Sequence, residues 1–275
     1  KFLGESYYRA GGVPAVMGEL AIEDKLHTDV MTVSGKTLGE TLEGKRSSDW
    51  SVIAKCKEPV RENAGFLVIS GNLFDSALMK TSVISDDFRQ RFFSTPGKEG
   101  IFEAKAVVFE GPEDYHDRIN DADLEIDDKT VLFIRGVGCV GYPGSAEVVN
   151  MLPPDAVVKK GINHLPTVGD GRQSGTSESP SILNASPESV VGGGLAFLKT
   201  GDRVLLDLNK SEMNALVPTD EWELRKKNWV APEIISHTPW EEIYRSHVGQ
   251  LAEGGCLEMA TKYQKVRETL PRDNH

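Results

Sequence analysis

From Val52 onward the chain is a series of short apolar runs cut by turn residues, and this pattern restricts the fold more than any other feature. Gly65-Phe-Leu-Val-Ile-Ser-Gly71, Ala104-Lys-Ala-Val-Val-Phe-Glu110 and Thr130-Val-Leu-Phe-Ile-Arg135 read as strands by their β-branched and aromatic content. Asn72–Lys80 continues the first of these, and Leu195–Leu208 reads as two strands joined by a Thr-Gly-Asp turn. Ala156–Val168 has room for one short helix and one short strand. Many short strands with few long helices predict a barrel or sandwich core with helices added.

The flanks have a different texture. Residues 1–45 read as helix, short strand, helix. Pro14 falls near a helix start, where its missing N–H costs nothing, and Val13, Val16, Met17 and Leu20 recur at helical spacing as a core stripe. Val30–Val33 is a short strand candidate, Lys36–Leu42 a second helix, and Gly44–Ser51 an uneven polar linker. Pro112–Asp121 opens like a helix with acids in its first turn. Glu221–Trp229 reads as a charged surface helix, Trp240–Gln250 and Leu257–Leu270 as a helical tail, and Pro271–His275 as a polar end.

Charge and cysteine usage exclude several classes. The 31 Lys and Arg against 42 Asp and Glu leave a net charge of −11, which argues against nucleic acid or an anionic membrane as a partner. A small anionic substrate stays open, because one local Arg or a metal reverses the field in a cleft. No window approaches the roughly 18 uninterrupted apolar residues of a membrane span. The start, Lys-Phe-Leu-Gly-Glu-Ser, has no signal-peptide core and no initiator Met, and reads as a processed or truncated piece. Cys56, Cys139 and Cys256 are odd in number and far apart, with no C-x-x-C pair. They predict separate thiols in a reducing cytoplasm; a metal or cluster built from them alone would need all three to converge.

Two polar, glycine-rich turns interrupt this apolar frame. Gly169-Asp-Gly-Arg-Gln-Ser-Gly-Thr176 places an acid, a guanidinium and two hydroxyls among three glycines, free to turn sharply and approach a ligand. It is also readable as a surface turn. Arg135–Glu147 follows the clearest strand, and its Ser145-Ala-Glu147 end leads toward a possible helix. Glu147 could bind a hard cation such as magnesium through oxygen, or merely favour the dipole of a first helical turn. Ser174 and Thr176 could act as base or nucleophile only with a lowered pKa. No Gly-x-Ser-x-Gly elbow is present, which weakens a hydrolase reading of Ser174. Gly192–Gly194 lacks the Lys-Ser/Thr of a phosphate loop and reads as a bend before a strand. His27, His116, His237, His247 and His275 show no metal spacing, and His164 is near the Gly169–Thr176 turn in sequence only.

Tyr8–Met17, Thr32–Glu40, Gly71-Asn-Leu73, Phe109-Glu-Gly-Pro-Glu113, Tyr142-Pro-Gly-Ser-Ala-Glu147, Gly169–Thr176 and Ser186-Pro-Glu188 follow one another in order. Together they resemble the dihydroxy-acid and sugar-acid dehydratase family, over most of the chain from Tyr8 to Trp229. The Gly-Tyr-Pro-Gly-Ser-Ala-Glu loop and the tail after Trp229 are most similar to the aldonate (xylonate and arabinonate) branch.

The resemblance implies an α/β (α+β) protein with a C-terminal β-barrel-like domain and flanking helices, preceded by a short α/β remnant of an N-terminal domain. The implied boundaries are 1–45 for that remnant, 46–58 for a linker, 59–233 for the barrel-like domain and 234–275 for the tail. It implies a hydro-lyase that converts an aldonate to its 2-keto-3-deoxy acid. Ser174 matches the base at C2, and Thr176 its neighbour in substrate or proton handling, with Gly175 at the substrate. Glu147 matches a magnesium ligand, the ion holding the carboxylate and C2 hydroxyl. An iron–sulfur cluster, 2Fe-2S or 4Fe-4S, removes the C3 hydroxyl. The cluster cysteines and remaining magnesium ligands of the family lie in a larger N-terminal domain whose motifs are not in this chain, and Cys56, Cys139 and Cys256 do not match them. The expected partners are a sugar acid, that N-terminal domain, and further copies in a homodimer or homotetramer. The competing expectations are a dihydroxy-acid dehydratase of branched-chain amino-acid synthesis, a non-catalytic assembly module, and a hydrolase using Ser174.

Overall fold

The computed structural model describes residues 2–60, 62, 65–173 and 179–263. They fall into two compact units, residues 1–63 and residues 64–275. Among the described residues no helix is long and apolar enough to cross a membrane.

The first unit holds α1 (Gly4–Arg9), α2 (Gly12–Ile22) and α3 (Leu38–Leu42). Thr37 starts α3 through a reciprocal cap: its hydroxyl accepts the Glu40 N–H at 3.2 Å, and the Glu40 carboxylate accepts the Thr37 N–H at 2.6 Å. The Val13, Val16, Met17 and Leu20 stripe is only partly the inner face of α2: Val16 packs against Ala10, Ala15 and Ile53, while Met17 and Leu20 are half-buried. Gly12, Ala15, Gly18 and Glu19 are the buried positions, and Val13 is exposed. The Lys45 carbonyl lies 1.9 Å from where a Cβ on Gly18 would sit, so only a small-residue face admits that crossing, and Arg46 reaches Glu19 there. The strand expected at Val30–Val33 does not form. The Thr32 N–H bonds Lys36 O across a turn at Gly35 (φ 75°), so the segment folds on itself with one bridge between Met31 and Thr37.

The second unit is a closed barrel. Its strands are β1 (Phe66–Gly71), β2 (Phe74–Lys80), β3 (Ile101–Phe109), β4 (Thr130–Ile134), β5 (Thr167–Gly169), β6 (Ser181–Ser186), β7 (Arg203–Asp207) and β8 (Glu212–Ala215). They run around the barrel in the order β1-β2-β6-β5-β4-β3-β7-β8. β3, β4, β5 and β6 lie side by side and parallel, while β2 and β7 join their two edges antiparallel. Helices α4 (Asp86–Phe92), α5 (Pro112–Arg118) and α6 (Asp155–Val158) sit in the connections. α7 (Thr219–Asn228) and α8 (Pro239–His247) follow the last strand.

The apolar runs explain themselves in this arrangement. All five residues of β4 are buried, because alternate side chains enter different cores. Val131 and Phe133 join Ala104, Ala106 and Val108 inside the barrel. Leu132 and Ile134 join Val107, Phe109, Ile119 and Leu124 in an outer layer.

The barrel closes between β1 and β8 through one register pair, Ser70 with Glu212. Beyond that pair the Asn72 side chain stands in for a strand. Its Nδ2 donates to Ala215 O at 2.9 Å and its Oδ1 accepts Ala215 N–H at 2.7 Å.

Leu195–Leu208 is not a two-stranded hairpin. Gly194–Phe197 forms a 3-10 turn, and β7 alone is a strand, paired with β3 and β8. A Cβ at Gly194 would lie 2.2 Å from Asn72 O, so the glycine run lets the chain pass close over the barrel end rather than bend before a strand. The turn then buries Phe197 edge-on against Trp222 and Trp229, with ring centroids 5.8 and 6.3 Å away. The sequence reading had no strand at Ser181–Ser186 or Glu212–Ala215; both are short and half polar.

Candidate active site

Parallel strands leave their C-terminal ends on one side of a barrel, and loops from neighbouring ends converge there. Three such ends matter here. β4 ends at Ile134 and releases the Arg135–Asn150 segment, β5 ends at Gly169 and releases Asp170–Gln173, and β6 ends at Ser186 ahead of Glu188 and Ser189.

Asp170 ties the three together. Its carboxylate is fully buried and accepts the Gly136 N–H at 3.1 Å, the Val137 N–H at 3.0 Å, the Ser189 N–H at 2.8 Å and the Ser189 hydroxyl at 2.6 Å. Four donors fill the acceptor capacity of one carboxylate, which compensates its removal from water. Glu188 makes a second anchor, accepting Val140 N–H at 2.9 Å, Gly141 N–H at 2.9 Å and Gln250 Nε2 at 3.1 Å. Burial pushes the Glu188 carboxyl above its ordinary range, against the pull of those amide donors. A Cβ at Gly138 would lie 2.5 Å from this carboxylate, so glycine is required for the close approach.

The loop after β4 and the turn after β5 are laced directly. Ala146 N–H donates to Val137 O at 3.1 Å, and Arg172 N–H donates to Ala146 O at 2.8 Å. Arg172 Nε donates to Ser145 O at 2.9 Å, and Val149 N–H returns to Arg172 O at 3.3 Å. Glu147 and Gln173 therefore sit one residue beyond a shared hydrogen bond. Glu147 is not in a helix: residues 145–150 are irregular, and Ser145 has φ 59°. The helix-dipole role open to Glu147 has no helix to act on.

The carboxylate of Glu147 is half exposed and faces Arg172 Nη1 at 4.0 Å. An accessible carboxylate oxygen suits one position in the shell of a hard cation such as magnesium. Among the described residues no group of three His, Cys, Asp or Glu side chains could hold a metal ion, so the other ligands would come from elsewhere. Cys56, Cys139 and Cys256 are free thiols, intermediate, buried and exposed in turn, and none of them belongs to such a group. Ser174, Gly175 and Thr176 lie outside the described residues, as does the 271–275 end.

Two open grooves of similar size mark the barrel. One, of about 780 Å³, lies near the start of β3 and β4, lined by Ile101, Glu103 and Lys129, and touches none of these loops. The other, of about 700 Å³, is bordered by Arg135, Gly136, Gly141 and Ser189, with Trp229 and Arg245 opposite. Asp170, Glu188, Arg245 and Gln250 were not singled out from the sequence. The available signal for Asp170 was an acid inside a glycine-rich turn directly after an apolar strand. The hydrogen-bonding roles of the others depend on pairings between distant parts of the chain.

The chain's likenesses agree with these loops. The family model for the dihydroxy-acid/6-phosphogluconate dehydratase C-terminal domain matches residues 51–256, and its N-terminal counterpart matches residues 1–41. A D-xylonate dehydratase of Caulobacter vibrioides is 57% identical over 275 residues, covering 100% of this chain and 46% of that protein. An L-arabinonate dehydratase of Rhizobium leguminosarum bv. trifolii is 32% identical over 259 residues, 94% of this chain and 43% of that protein. A dihydroxy-acid dehydratase of Acetivibrio thermocellus is 32% identical over 256 residues, 92% of this chain and 44% of that protein. The chain thus spans less than half the length of these curated relatives. With its barrel and both polar loops inside the C-terminal match, the chain belongs to the dihydroxy-acid/6-phosphogluconate dehydratase family.

Proposed function

We propose that this chain forms the Ser174-bearing half of a sugar-acid dehydratase acting on an aldonate such as xylonate or arabinonate. The observation that carries the reading is the lacing of Ala146 to Arg172, which places Glu147 beside the segment that runs into Ser174. The 57% identity to a D-xylonate dehydratase, against 32% to a dihydroxy-acid dehydratase, favours a sugar acid over a branched-chain substrate.

In the reaction, Ser174 takes the proton from C2 of a 2,3-dihydroxy acid. The C2–H electron pair forms the C2–C3 double bond, the C3–O bond breaks, and the hydroxyl leaves as water after gaining a proton. The resulting enol becomes the 2-keto-3-deoxy acid. Glu147 would hold one position on magnesium, which when bound draws charge from the substrate carboxylate and C2 hydroxyl and so acidifies C2–H. Arg172 sets a positive charge beside the Glu147 carboxylate, at the position proposed to hold magnesium. Thr176 and Gly175 complete the substrate side of this loop. The iron–sulfur cluster implied by the family resemblance would be held outside the described residues and would assist departure of the C3 hydroxyl.

In the full-length protein, Ser174→Ala should abolish keto-acid formation from xylonate and arabinonate while leaving the fold and metal content intact. Turnover within a few fold of the parent would overturn the reading. Faster turnover of a branched-chain dihydroxy acid than of either aldonate would redirect it to the amino-acid branch.

A further inference from the structure

The segment after the barrel comes back to the loop that carries Glu147. Arg245, on α8, directs Nε to Val140 O at 2.9 Å, and its Nη2 lies 3.5 Å from Gly141 O. The Glu188 carboxylate holds the same two residues by their N–H groups. Gln250, beyond α8, then grips Glu188 twice: its Oε1 accepts the Glu188 N–H at 2.7 Å, and its Nε2 donates to Glu188 Oε1 at 3.1 Å. Ala252 N–H adds a bond to Ser186 Oγ at 3.1 Å. One residue earlier in the loop, the buried Cys139 thiol interacts with Tyr244 of α8. Three consecutive loop residues are therefore held by side chains of one returning segment, directly or through Glu188.

The loop needs such holding. Gly136, Gly138, Gly141 and Gly144 give it a large conformational entropy to lose. The Arg245 fork is itself fixed, with Nη1 bonded to Ser236 Oγ at 2.7 Å and to Ile235 O at 3.1 Å. From the held turn the chain runs straight to the site: Ser145 N–H bonds Tyr142 O at 2.7 Å, and Ala146 N–H bonds Val137 O at 3.1 Å.

We propose that Arg245 and Gln250 are positioning residues that clamp the 139–141 turn from outside the barrel and so set where Glu147 stands. The inference rests on the reading of Glu147 as a magnesium ligand. The clamp acts on backbone that no barrel strand pairs, so it governs the loop rather than the fold.

Cys139 is a built-in reporter. In the full-length protein, alkylation of Cys139 is compared with that of exposed Cys256 by peptide mass spectrometry, and the magnesium concentration for half-maximal activity is measured beside it. Arg245→Ala and Gln250→Ala should each raise Cys139 labelling roughly tenfold as the turn opens locally. Each should also raise the magnesium midpoint several fold, with thermal unfolding little changed. Arg245→Lys should not restore the parent values, because an ammonium cannot serve both carbonyls and Ser236, whereas added guanidinium ion should partly restore Arg245→Ala. Folded variants whose Cys139 stays protected overturn the clamp. Variants whose Cys139 is labelled while the magnesium midpoint stays put overturn its link to Glu147. Glu147→Gln separates the two readings. If that change leaves the magnesium midpoint unmoved, it is the proposed function that fails, and Cys139 labelling alone still decides whether the clamp exists.

Discussion

Ser189 Oγ donates to the buried carboxylate of Asp170 at 2.6 Å and accepts the Gly136 N–H at 2.8 Å, so one hydroxyl bridges the ends of three strands. Removing the two partners should not cost the same. Ser189→Ala leaves Asp170 with its three backbone donors and should destabilise by about 1 kcal/mol. Asp170→Ala strands the amides of Gly136, Val137 and Ser189 and should cost about 3 kcal/mol or more. Urea unfolding of the two variants checks the ordering; equal losses would mean that the amides find other acceptors.

Glu188 gives a pH dependence with a definite sign. Burial raises its carboxyl pKa above the ordinary value near 4.5. Between the unfolded and folded values the folded state holds more protons, so this group's contribution to stability falls as pH rises and then levels off once Glu188 is ionised in both states. The thermal midpoint of the parent relative to Glu188→Gln should therefore decline from about pH 4.5 upward. A difference that is flat or grows with pH would contradict the raised value. The Asp170 carboxylate adds to the raised value, and the effect of Glu188 on Tyr244 and Cys139 is absent in the variant.

Gly171 marks where the two loops touch. A Cβ there would meet Ala146 O at 2.7 Å and Val137 Cγ2 at 2.9 Å, both too close for any side chain. Gly171→Ala must push the Glu147 loop away from the Ser174 segment. A stability loss of about 1–3 kcal/mol is expected from the overpacking, together with a fall in kcat that extra magnesium does not fully restore. Parent-like turnover would show that the spacing of the loops does not matter to the reaction.

Arg225 pins α7 to the barrel through a fork on Asp202, at 2.6 and 3.0 Å, and a bond to Phe197 O at 3.0 Å. Arg225→Lys keeps the charge and loses the fork, and should cost about 1–3 kcal/mol in unfolding experiments. Asp170 and Glu188, which anchor the site loops, make no bond to Arg225, so KM for the aldonate should change less than stability does.

The barrel class was legible because β4 and the second half of β3 are buried on both faces and so carry continuous apolar runs. β6 and β8 were not, since Ser181, Asn184, Ser186, Glu212 and Asn214 hide a strand identity that only neighbouring strands supply. Leu195–Leu198 misled for the opposite reason: an apolar run that a 3-10 turn buries against Trp222 looks the same in sequence as a strand. At the site, Glu147 and the Gly169–Thr176 turn were marked by residue type and by the family likeness. The anchoring by Asp170 and Glu188 depends on partners from 19 to 62 residues away, which no local pattern encodes.

The closure of the barrel at Asn72 has a consequence for how the molecule opens. Elsewhere around the ring, adjoining strands are stitched by runs of backbone hydrogen bonds, and strand partners can be exchanged only by breaking several together. At the β1–β8 seam a single primary amide does much of that stitching, so the ring has a clasp rather than a weld. Amide hydrogens of β8 should exchange with solvent well ahead of those of β3 and β4. Asn72→Asp, which turns the donor facing Ala215 O into an acceptor, should undo the clasp while leaving the parallel strands beneath the site loops in place.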